Sequence, residues 1–297
     1  MPNAFLRWLS DSPQHRQGLR AFQFLMGLAM AFRVATEFRF AGWLYGPHGI
    51  GTGTSVSMLR GWHGAIDWVY QLEATPFLVV LVEGVAATLF LWGRHTRLAA
   101  ALGLFTVQLL EWRTPEILDG GDNLTRLCLG FMLLTLSNDA PAPPKGSFAV
   151  FLHNVGVVLL LAQIVVLYFS AGLAKAGGQA WTNGTALFLV SQVEEFSLPS
   201  LRWLFKEPLV TSALSQLTVL WQLLFPLGVF SRLRWVFVVT GLGFHLGIAF
   251  FMGLVSFSLV MLGAELFLLS DEDHLRVRGW WAAWLAKLRP SPASVAG

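Results

Sequence analysis

Cysteine is almost missing from this chain, and so is charge. A single Cys128 excludes an internal disulfide and any cysteine-based metal site. Asp, Glu, Lys and Arg make up 12% of the 297 residues, against about 25% in an ordinary soluble domain. No run of Lys and Arg of the kind that grips nucleic acid occurs, so the small excess of 20 basic over 17 acidic residues is read as membrane topology. The first 17 residues lack an uninterrupted apolar core ahead of a small-residue cleavage site, which predicts a cytoplasmic tail and no signal peptide. The glycine-rich GPHGIGTGT has no Lys-Ser/Thr and no preceding strand, so a phosphate loop is excluded. No internal repeat or pair of broken helices points to a transporter.

What is present is apolar bulk. Hydrophobic residues make up 55% of the chain, with 13 Trp and 24 Phe, too much for a soluble fold of this length to cover. Several runs reach the roughly 20 residues that cross a bilayer. The reading is an all-α polytopic membrane bundle of eight spans at 18–42, 73–92, 97–113, 121–138, 149–174, 209–230, 234–251 and 254–270, with Gly253 turning the chain between the last two. Residues 1–17 and 271–297 are tails. The connections that share a side with the N-terminus carry 12 of the 20 basic residues, which places both termini in the cytoplasm and Lys175 outside. In the second tail, Trp280, Trp281 and Trp284 beside basic residues suit an amphipathic helix lying on the membrane surface.

Ionisable groups inside spans are costly, and each is a candidate site. Arg33 and Glu37 lie four apart on one helical face and are expected to pair. Glu83 falls near the middle of the second span and is expected to bond to a neighbouring helix. Arg33, Glu37, Glu111, Arg126, Lys175 and His245 all fall in the outer half of the bilayer, which predicts one polar cavity open to the outside. Each also has a structural reading: ion pairing for Arg33, snorkelling for Arg126 and Glu111, and helix-to-helix bonding for His245. No metal site is expected.

Residues 168–185, YFSAGLAKAGGQAWTNGT, supply the most specific pattern. A helix ends in Tyr168, Phe169, Ala171, Gly172 and Lys175, then a short linker leads to Trp181 and Gly184. A second stretch, GFHLGIAFFMGLVSFSLVML, carries His245 ahead of a glycine break. Together these resemble the HTTM family, the membrane domain shared by vitamin K-dependent gamma-carboxylase and many bacterial proteins, over roughly residues 18–270. The resemblance implies that Lys175 is a base acting on a reduced quinone or other lipid-soluble ligand. It further implies His245 as a second catalytic group, with Arg33, Arg126, Tyr168, Trp181 and Glu37 around the ligand. Ala174 stands where the carboxylase has a further lysine, and its propeptide-binding domain is not expected here. The alternative implied by the bacterial members is a non-enzymatic accessory protein for maturation or export of a secreted peptide. The expected partners are membrane lipid and a secreted peptide or partner membrane subunit, and the expected location is the bacterial cytoplasmic membrane.

Overall fold

The computed structural model describes residues 2–50, 63–114, 120–141, 143–194 and 197–288. Every regular element among them is helical: α1 (Pro2–Ser10), α2 (Arg16–Glu37), α3 (Ala41–Tyr45), α4 (His63–Tyr70), α5 (Thr75–Trp92), α6 (Thr96–Arg113), α7 (Gly120–Met132), α8 (Phe148–Ala176), α9 (Gln179–Thr182), α10 (Ala186–Gln192), α11 (Pro208–Val229), α12 (Arg234–Met252), α13 (Val255–Phe267) and α14 (Asp271–Leu288). This is what apolar segments require in a bilayer, where each backbone N–H and C=O must find its partner within the segment.

A helix coincides with each of the eight expected spans. Among the described residues five segments are long and apolar enough to cross a membrane: Arg16–Tyr45, Thr75–Trp92, Phe148–Ala176, Pro208–Val229 and Arg234–Met252. The span expected at 121–138 is shorter than anticipated, because α7 stops at Met132 and a turn follows. The helix α13 also has only 13 residues, about 20 Å at 1.5 Å per residue against a hydrocarbon layer of about 30 Å. Gly253 has φ 70° and breaks the run between α12 and α13; a side chain there would carry the left-handed backbone penalty that glycine escapes.

One end of the bundle is tied by polar contacts that hold together the segments rich in Arg and Lys. Arg20 donates to the carbonyls of Phe90 and Leu91 at the close of α5, and Arg97 donates to those of Thr135 and Leu134 beyond α7. These arginines satisfy carbonyls that a helix terminus leaves without partners and complement its negative dipole end. Asn154 donates from its amide to the carbonyls of Trp8, Leu9 and Ser12 and accepts from the N–H of Gln14. The first residues therefore form a helix pinned to α8. Arg234 pairs with Asp273, and Asp271 accepts from the N–H groups of Arg16 and Gln17. This basic end thus gathers α1, the start of α2, the turns after α5, α7 and α11, and α14. In the second tail α14 is a helix with Trp280, Trp281 and Trp284 exposed; residues 289–297 lie outside the described residues.

The helix α2 runs through the centre. Leu19, Phe22 and Met26 are wholly buried in a core shared with Phe90 of α5, Leu129 of α7, Leu160 of α8 and Phe267 of α13.

If the basic end faces the cytoplasm, a Gln179→Cys variant in intact cells reacts with a membrane-impermeant maleimide, whereas Pro144→Cys reacts only after permeabilisation. Both positions are exposed and the native Cys128 is fully buried. The reverse labelling pattern contradicts that orientation.

Candidate functional site

The in-span polar residues fall into two groups. In the first, Arg33 donates from Nε and Nη2 to Oε1 of Glu83, at 2.9 and 2.5 Å, and from Nη1 to Asp122 at 3.2 Å. Glu37, its expected partner, instead accepts from the Tyr45 hydroxyl at 2.6 Å. The magnitudes explain this correction. A pair four residues apart on a helix is worth about 0.5 kcal/mol at most. Glu83 is 0% exposed, and leaving a buried carboxylate without its counter-ion costs about 3–5 kcal/mol. Local tightening of the backbone at Phe38–Phe40 brings Tyr45 within reach of Glu37. Beside this network, Arg126 donates to Glu111 at 2.9 Å and to Asn123 at 2.7 Å.

The second group lies between α8, α12 and α13. The Tyr168 hydroxyl donates to Oε1 of Glu265 at 2.5 Å and sits 2.7 Å from Nε2 of His245. A hydroxyl has one proton to give, so with Tyr168 donating to the carboxylate, His245 carries its proton on Nε2 and presents Nδ1 as an acceptor. All three residues are at most 2% exposed. Nδ1 of His245 and Oε2 of Glu265 are buried without a hydrogen-bond partner, and Glu265 has no ion pair among the described residues.

The surrounding helices are shaped to admit this trio. A Cβ at Gly241 would stand 2.1 Å from Oε1 of Glu265, so only glycine leaves space for the carboxylate. At Gly172, one turn beyond Tyr168, a Cβ would press within 3.0 Å of the Leu223 backbone, and α8 and α11 close together there. Phe225 lies 4.0 Å from the Tyr168 ring, Trp221 meets that ring edge-on at 5.1 Å, and Phe257 meets His245 at 5.6 Å. The trio is buried among apolar and aromatic side chains, and the low local dielectric strengthens each hydrogen bond and raises the cost of breaking one.

Lys175 lies two turns beyond Tyr168 on the same face of α8. It is half-buried, with Nζ 5.2 Å from the Trp181 ring centroid, a cation–π distance. Among the described residues it has no hydrogen bond or ion pair, and it is within electrostatic reach of His245. Arg126 has no bond to it and is occupied by Glu111 and Asn123. The single chamber expected for six residues is therefore divided. Phe257, against His245 on one side, lines a chamber with Arg33, Glu37 and Glu111 on the other. Tyr168, Lys175, Trp181 and His245 come together; Arg33, Glu37 and Arg126 belong to the other group.

Glu265 is the residue that the sequence reading passes over. Its signal was available: it is the only carboxylate in the apolar run VSFSLVMLGAELF. An apolar cavity of about 260 Å³ lies beside the trio, lined by Leu187, Leu214, Phe244, Ile248 and Phe251 with Arg202 at its edge. The Phe244 ring meets both His245 and Trp221. No group of three His, Cys, Asp or Glu among the described residues could hold a metal ion.

An all-α membrane bundle with a buried Tyr-His-Glu hydrogen-bond chain is the class of protein these features define. More particularly, residues 142–273, from the approach to α8 into α14, match the HTTM domain family. Over 172 residues the chain is 24% identical to the uncharacterized protein YitO of Bacillus subtilis (strain 168), covering 53% of this chain and 55% of YitO. It is 28% identical over 130 residues to the sporulation-delaying protein SdpB of the same organism, covering 42% of this chain and 40% of SdpB. The chain thus spans about half the length of these curated relatives or less. No solved structure matches significantly. The matched segment contains Tyr168, Lys175, His245 and Glu265, whereas Arg33, Glu37, Glu83, Glu111 and Asp122 lie before it.

Replacing Arg33 with Met is expected to cost about 3–5 kcal/mol, because Glu83 keeps its burial and loses its cation. The double variant Arg33→Met, Glu83→Leu is expected to recover much of that loss. Thermal unfolding of the purified protein in detergent checks both; equal midpoints for the single and double variants contradict the pairing.

Proposed function

We propose that this chain is a multi-pass protein of a bacterial cytoplasmic membrane whose HTTM-matched half handles protons for a lipid-soluble, quinone-like ligand. The observation that carries the reading is the dry Tyr168–His245–Glu265 chain with acceptor atoms open at both ends. Such a chain can move a proton without moving a residue. A proton taken up at Nδ1 of His245 releases the one on Nε2 to the Tyr168 oxygen. Tyr168 passes its own to Glu265. The net change is one proton carried inward and one carboxylate neutralised.

In this reading Lys175, in its neutral form, takes a proton from a ligand hydroxyl, and the Trp181 ring face stabilises the ammonium that results. An ammonium left there attracts the ligand oxyanion formed by that transfer. The apolar cavity beside Phe244 has space for a ring or part of an isoprenoid tail arriving from the bilayer. Arg33, Glu37 and Arg126 have no part in this step, since their bonds lie beyond Phe257.

The second reading, an accessory protein for a secreted peptide, draws on the similarity to SdpB. It assigns the work to the connection at 177–207 and leaves the trio as an internal brace.

Lipid extracts of the purified protein, analysed by mass spectrometry, distinguish the two. Isoprenoid quinone is expected near one per chain in the wild type and at least several-fold lower in His245→Leu. Lys175→Met is expected to retain the quinone while abolishing native activity. Quinone no higher than in an unrelated membrane protein from the same cells contradicts the first reading, as does full native activity in Lys175→Met.

A further inference from the structure

We propose that the chamber beyond Phe257, at the end of the bundle away from the basic segments, is a second binding site and takes the protonated amine of a small ligand. Its charged lining residues all precede the HTTM-matched segment, which contributes the wall from Gly253 to Phe257, and the proposal does not depend on the reading of the trio. The chamber holds about 250 Å³, at the small end for ligand pockets and suited to a group of a few heavy atoms.

Its lining is rich in acceptors. Glu37, Glu111 and Asp122 face it, and Arg33 is the one cation among its described lining residues. Arg33 directs its donors at Glu83 and Asp122. Among the described residues the network joins Glu37, Glu83, Glu111 and Asp122 to Arg33 and Arg126. Arg113, the other arginine nearby, is turned to the carbonyls of Tyr45 and Gly46 and the Tyr70 ring. The hydroxyls of Thr36 and Thr114 donate to carbonyls of their own helices and present lone pairs. The Tyr45 hydroxyl donates its hydrogen bond to Glu37.

One atom makes the need specific. Glu111 is 4% exposed, lines the chamber, and has its Oε1 buried without a partner while Oε2 takes the bonds from Arg126 and Gln108. A buried carboxylate oxygen left without a donor is costly. A multidentate metal is the wrong answer, because no three carboxylate or imidazole groups among the described residues are close enough together to hold one ion. An ammonium supplies charge and up to three N–H donors in a compact head. Phe32, Leu110 and Phe257 give its carbon chain an apolar wall. Such an amine could be free in solution or be the headgroup of a phospholipid.

The test uses the full chain, purified in detergent and in an amine-free buffer, with ethanolamine as the soluble probe. Ethanolamine is expected to raise the unfolding temperature saturably, with at least a tenfold weaker apparent affinity in Glu111→Gln. Tetramethylammonium, with the same charge and no N–H, is expected to have no such effect. In nanodiscs, higher stability in phosphatidylethanolamine than in phosphatidylcholine, lost in Glu111→Gln, assigns the lipid source; an effect of free ethanolamine alone assigns the soluble one. Should Glu111→Gln fail to fold, Glu37→Gln is read in its place. No saturable effect from either source, an equal effect of tetramethylammonium, or undiminished binding in the variant overturns the proposal.

Discussion

The interaction on which the HTTM-matched half turns is the bond between the Tyr168 hydroxyl and Glu265. It places a carboxylate between apolar helices with no ion pair among the described residues. Taking such a group from water is expensive unless hydrogen bonds replace what water supplied. Tyr168 replaces part of it and is itself held by His245. Losing any one member would leave another buried group without its partner, so α8, α12 and α13 are committed to one relative register. Gly241 and the aromatic rings of Trp221, Phe225 and Phe257 follow from that commitment: one makes space for the carboxylate, the others keep water out.

The rest of the bundle answers the same difficulty in other ways. On the other side of Phe257 the carboxylates are met by arginines, and the strongest restraint is Arg33 between Glu83 and Asp122. At the basic end, arginines that serve as topology signals also close helix termini, as Arg20 does for α5 and Arg97 for the turn after α7. The bundle therefore contains three polar regimes at different places along its axis: capped termini, compensated ion pairs and a carboxylate held by a hydrogen-bond chain. Only the third has acceptor atoms left open beside an apolar cavity.

Helix positions were legible in the sequence because apolar run length is a one-dimensional property. All eight expected spans meet helices, and Gly253 turns the chain where the glycine break predicts. The end of α7 was less legible, since Leu133–Leu134 continue the apolar run and the turn there is set by contacts with Arg97. Partner choice was not legible at all. Spacing favours Arg33 with Glu37, but the burial of Glu83 on another helix decides the matter, and burial is three-dimensional. The division of one expected chamber into two also rests on where a single ring, Phe257, lies. Lys175, Tyr168 and His245 were found by motif, while Glu265 lay outside the quoted motifs although its lone charge in an apolar run marked it.

A double-mutant cycle on Tyr168→Phe and Glu265→Met, read by unfolding free energy in detergent, tests the central claim most directly. If the bond organises this half of the bundle, the two losses are non-additive, with a coupling energy above about 1 kcal/mol. Losses that add to within about 0.5 kcal/mol would show that the two side chains are independent neighbours, and the hydrogen-bond chain would not be the element that the other helices are built around.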